Sequence, residues 1–202
     1  GADISKAFPV IAKHLSEGQE MREEFMETLR HARDNGANLV SLLPVLGPLL
    51  KDRQTGYSAL HLVEKFPATE LAPIENDLRD GMHGKNFESL HEHCCYLYAR
   101  VLVQQGRLTG VSEILRDPLR QIRSACVSIL RTLCSEGRGS RLHEIAPDIA
   151  ANLGIESDYL RGGTSELLKQ IAAQSANARE NVLRALTQAR HPAAVILLAE
   201  LK

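Results

Sequence analysis

The chain has 202 residues, 44% of them apolar and 24% charged, with a formal net charge of −1. This length allows one substantial core or a row of small repeating units, and the balanced charge excludes a global pull toward nucleic acid or an anionic membrane. Scarce aromatics, no Trp, and abundant Leu and Ala favour helix over sandwich or barrel.

In chain order, the opening GADISKAF lacks the charged and apolar regions of a signal peptide. Met21, Phe25, Leu29 and Ala32 fall on one helical face, after Ser16 and Gln19 in capping-box spacing, and Asn35-Gly36 supplies a stop. Two proline-bearing helices follow: SLLPVLGPLLKD with Pro44, closing on Leu50-Lys51-Asp52, and ELAPIENDLRD with Pro73, closing on Leu78-Arg79-Asp80. Phe87, Leu90, Cys94, Leu97 and Val101 mark the next helix. After a third triplet, Leu115-Arg116-Asp117, a face of Leu119, Ile122, Cys126, Ile129, Leu130 and Leu133 runs to Ser135-Glu136-Gly137. HEIAPDIAANLG carries Pro147. In RGGTSELLKQ the glycines read as a turn before a helix capped by Thr164 or Ser165. NVLRALTQARHPAAVILLAEL is again helix, turn with Pro192, helix. No strand is predicted, and no run reaches the ~18 apolar residues of a membrane span.

Pro44 and Pro73 are 29 residues apart, Pro73 and Pro147 are 74 apart (two steps of 37), and Asp80 to Asp117 is again 37. A helix–turn–helix recurring at this interval is the signature of an α-solenoid. At LRDPLRQIRSACVSIL the chain resembles a HEAT repeat, whose inter-helix turn carries Asp, often then Pro, with Arg six residues after the Asp; Asp117, Pro118 and Arg123 fill those places. The resemblance implies an all-α fold, a short right-handed α-solenoid of HEAT-like helix-turn-helix repeats. Residues 1–202 then form a single domain, with an N-terminal helical cap over 1–36 and four to five irregular repeats over 37–202. In that reading Asp117 caps the second helix, worth about 1 kcal/mol, and Pro118 starts its first turn. Arg123 would reach a neighbouring turn's carboxylate in a ladder of ion pairs, although Ser58 and Asn86 stand at the matching positions of two other helices. Asp52 and Asp80 are the structural counterparts of Asp117, and the base in each triplet complements a helix C-terminus.

Candidate chemistry is sparse. His91, Cys94 and Cys95 share part of a helix face and are acceptable zinc ligands, but no spaced fourth ligand accompanies them, so they read as packing and no metal or cofactor is expected. The four cysteines (Cys94, Cys95, Cys126, Cys134) form no CxxC pair and read as small core thiols of a reducing, cytoplasmic compartment. Leu90-His91-Glu92 and Leu142-His143-Glu144 resemble the His-Glu pairs of deoxyhypusine hydroxylases. That family uses four pairs, and here the two occupy different repeat positions. No phosphate loop, HExxH or GxSxG is present.

Charge is uneven: residues 64–92 hold seven acids against three Lys or Arg, and 107–141 hold seven arginines against three acids. In HEAT-like stacks the second helices line the concave surface where partners lie. Tyr96 and Arg100 on one such helix, and Arg120, Ser124 and Arg131 on the next, are therefore the expected partner-binding residues. The function expected is a non-catalytic module binding another protein or peptide segment. A nucleic-acid-binding reading, like the HEAT-like alkylpurine DNA glycosylases, has the neutral charge and scarce aromatics against it. A metal-dependent HEAT-like enzyme is the third possibility.

Overall fold

A computed structural model describes residues 7–17, 22–52, 55–84 and 88–202. Gln19 and Met21 of the N-terminal capping reading, and Asn86 and Phe87, lie outside those residues. Among the described residues there are twelve α-helices and no strand. The chain divides into two units, Gly1–Val101 and Leu102–Lys202.

The first unit opens with α1 (Phe8–Glu17) and α2 (Arg22–Asp34), followed by α3 (Leu43–Leu49), α4 (Gly56–Val63), α5 (Glu75–Gly81) and the start of α6 (Glu88–Gln104). The helices lie in two layers: α1, α3 and α5 pack along one row, and α2 packs on α4 in the other. His14 of α1 stacks on Phe25 of α2 with ring centroids 5.3 Å apart. Residues 1–36, expected as a cap, thus contain a helix pair laid in the same two layers as the pair that follows. The prolines sit where their missing N–H costs nothing, Pro44 in the first turn of α3 and Pro73 in a 3-10 turn before α5.

The second unit repeats the scheme with α7 (Leu108–Leu115), α8 (Arg120–Ser135), α9 (Ala146–Ala151), α10 (Asp158–Gln174), α11 (Ala176–Ala189) and α12 (Pro192–Leu201). Here α7, α9 and α11 form one row, while α8 and α10 share the largest helix–helix interface of the unit in the other. The apolar stripe of α8 is buried as read: Ile122, Cys126, Ile129, Leu130 and Leu133 are at most 1% exposed. Leu119 is the exception, a partly exposed residue preceding the helix.

Helix ends follow from short local rules. Gly36, Gly106 and Gly137 adopt positive φ. Each closes a Schellman motif, as in Ala37 N to Ala32 O (3.0 Å) with Gly36 N to Arg33 O (2.7 Å). Ser157 and Ser175 cap α10 and α11 by accepting from the N–H three residues on. One sequence reading is overturned: Gly162 and Gly163 lie inside α10, which starts at Asp158, so neither Thr164 nor Ser165 is an N-cap. A Cβ on Gly163 would stand 3.4 Å from Val127 Cγ1, an ordinary contact with α8.

Candidate interaction surface

On α8, Arg120, Ser124, Ser128 and Arg131 recur at i, i+4, i+8 and i+11 and so share one face. Against that face lie the first turns of α10, and together they line a shallow groove of Ser124, Val127, Ser128, Arg131, Tyr159, Leu160 and Gly163. Two of the expected partner residues, Ser124 and Arg131, are thus brought together. Arg120 is exposed at the start of the same stripe. Tyr159 projects from α10 with 73% of its surface exposed, against burial for Val127 and Leu160 beneath. In the first unit Tyr96 and Arg100 are half-buried, with the Arg100 guanidinium 5.7 Å from the Tyr96 ring centroid.

Sequence reasoning missed Ser128 and Tyr159. The stride of four from Ser124 would have found Ser128. Tyr159 was hidden because α10 was expected to begin only after the two glycines.

Chemistry at the other candidate positions is muted. Cys94, Cys95, Cys126 and Cys134 are all buried, and none forms a disulfide. Burial pushes the thiols of Cys94 and Cys134 up to about 12 and about 11, with Glu64 adding to the effect at Cys94; burial raises Cys126 as well. Such thiols carry almost no thiolate near neutrality and are poor nucleophiles. His91, expected to flank the apolar face of α6, is itself buried with neither ring nitrogen hydrogen-bonded. Among the described residues no three His, Cys, Asp or Glu side chains group as they would around a metal ion. His143 is occupied by the Ser140 carbonyl (2.9 Å) and the Asn177 amide (3.2 Å), and Glu144 by Arg141 (2.7 Å). No described helix is long and apolar enough to cross a membrane.

Three crystal structures of the karyopherin Kap121p, the protein itself and two multiply substituted variants, resemble the chain at 15% identity with TM-scores of 0.54 to 0.55. The chain has a HEAT-like helical-repeat fold. Each likeness covers 98% of this chain and 21–22% of the Kap121p chain, so the sequence spans about a fifth of that protein's length. No family model matches the chain, and no curated protein matches it.

In these HEAT-like repeats the turn residues differ from the expected ladder. Asp117 is not the N-cap of α8. Its Oδ1 accepts from Leu119 N at 2.8 Å, an Asx turn set before the helix, and Pro118 lies in that turn rather than in the first helical turn. Asp52 does hold the start of α4, accepting from the N and Oγ1 of Thr55 at 2.9 and 3.0 Å. Among the described residues Arg123 makes no ion pair, and its Nε is shut from solvent without a partner. The pins between consecutive repeats come from the triplet bases instead. Lys51 bridges Asp80 (2.8 Å) and Asp77 (3.1 Å) on α5, and Arg116 holds Asp148 on α9 (2.9 Å through Nε). Asn152, buried and unforeseen, donates to the Leu115 carbonyl at 3.2 Å and so satisfies the C-terminus of α7.

Proposed function

We propose that the chain is a non-catalytic protein-interaction module that receives a segment of another protein on its second-helix face, at Arg120, Ser124 and Arg131 of α8 and beside Tyr159 of α10. The observation that carries this reading is the groove between α8 and α10, in which an exposed tyrosine lies beside an arginine that has no acidic partner among the described residues. Tyrosine and arginine are among the side chains that most often anchor interfaces, tyrosine because it buries a large area for two frozen torsions and arginine because its planar fork makes several hydrogen bonds at once. Likeness to a HEAT-repeat karyopherin supports a helical scaffold used for binding, and no Cys, His, Asp or Glu lines the groove. Tyr96 with Arg100 is a further contact of the same kind. Four buried cysteines outside any disulfide fit a reducing, cytoplasmic setting.

Affinity capture with the wild-type chain and an Arg120→Glu/Arg131→Glu variant tests the reading. Loss of one specific partner from the variant, with helix content unchanged, is the expected result. Identical capture by both chains would remove the α8 face from the function.

A further inference from the structure

We propose that the segment received by the α8–α10 face is an acidic, extended stretch of protein, an inference that rests on the preceding reading of that face as the docking site. Seven arginines lie between 107 and 141. Arg116 is paired with Asp148, Arg138 with Glu136, and Arg141 with Glu144, while Arg107 donates to the Gln105 amide oxygen. Arg120, Arg123 and Arg131 remain, all on α8, and none pairs with an acid among the described residues. The helix from Arg120 to Ser135 contains no Asp or Glu, and no acid lines the groove.

Arg123 and Arg131 are half-buried, with the Nε atom of each hidden from solvent and lacking a hydrogen-bond partner. A guanidinium partly withdrawn from water with nothing opposite it is costly, and an arriving anion relieves that cost. The planar fork of arginine suits a carboxylate, which accepts two parallel N–H bonds, and the Ser124 and Ser128 hydroxyls between the cations offer further donors. Arg120 and Arg131 are eleven positions apart on one face. At 1.5 Å per residue this is about 16 Å, the length of about five residues of extended chain. The geometry therefore calls for two acids about five residues apart, with an apolar side chain between them against the Tyr159 ring.

A nucleic acid fits less well. Its backbone is followed by long runs of exposed Lys and Arg, and its bases stack on several aromatics; this groove offers one tyrosine and no lysine.

Selection of displayed random dodecapeptides on the whole immobilised chain, followed by fluorescence anisotropy of the enriched peptides, is the test. Enrichment of paired Asp or Glu about five positions apart, with affinity falling about tenfold or more in Arg120→Glu/Arg131→Glu and measurably in the milder Arg131→Gln, supports the proposal. Circular dichroism checks that each variant keeps its helices; if the double variant does not, Arg131→Gln alone decides. Neutral or basic peptides whose binding is lost in Tyr159→Ala would overturn the acidic occupant while leaving the docking face standing. Peptides indifferent to all three variants, or no enriched peptide at all, would overturn both. Displacement of acidic peptides by an oligothymidylate that binds more tightly would assign the face to nucleic acid and sink the proposal.

Discussion

Asn152 reaches back 37 residues to the last carbonyl turn of α7, and nothing about its neighbours in sequence marks it. Its side chain is 1% exposed, so removing the amide leaves the Leu115 carbonyl in a dry environment. Asn152→Ala should lose about 1–3 kcal/mol of stability in urea unfolding, and an unchanged midpoint would show that the bond is dispensable. The Lys51–Asp80 pair is a milder case. Hydrogen bonding to Asp80 holds the lysine above its ordinary range, and the same bond holds Asp80 below its own. The Asp80 contribution is present above the ordinary carboxylate range and is lost as pH falls through the depressed value. The Lys51 contribution is present below the ordinary lysine range and is lost as pH rises through the raised one. Lys51→Met should therefore be less stable than wild type from about pH 5 to 9, by no more than about 1 kcal/mol because both groups are solvated, and the difference should vanish in acid and in strong alkali. The triplets themselves were legible as helix ends. Their ion pairs were not, because which acid faces Lys51 or Arg116 depends on how the next repeat is stacked, 29 or 32 residues further on.

Glycines separate what the elements tolerate. Gly47 in α3 is pressed against α5: a Cβ there would meet the Asp77 carboxylate and stand 2.7 Å from Ile74 Cγ2. Gly162 in α10 has nothing within 4 Å of the same position. Gly47→Ala should cost about 1–3 kcal/mol through overpacking, whereas Gly162→Ala should gain about 0.5–1 kcal/mol from helix propensity alone. Thermal unfolding of the two variants should shift in opposite directions, and a stabilised Gly47→Ala would contradict the packing described. Helix placement was largely legible because apolar strides of three and four survive in α6 and α8. The start of α10 was not. Paired glycines usually mark a turn, and here both fall inside a helix already started by the Ser157 cap.

At the scale of the whole molecule, HEAT-like architecture was legible from one good repeat around Asp117 and from the spacing of prolines, because a solenoid restates its local chemistry at each step. The interaction face was legible only in part. Helical stride placed Ser124 and Arg131 on one side of α8, but the groove also needs Tyr159 from a helix whose register depends on the stack. The absence of acids from α8 stands in the sequence; that its arginines lack partners across the fold does not. Under the proposed function, partners meet the second-helix row and not the first. Site-specific photocrosslinking in cells, with benzoylphenylalanine in place of Ser128 on α8 or of Thr109 on the exposed side of α7, tests it most directly. The account predicts a discrete adduct from position 128 that disappears in the Arg131→Gln background, and none from position 109. An adduct confined to position 109, or one at 128 that ignores Arg131, would contradict it.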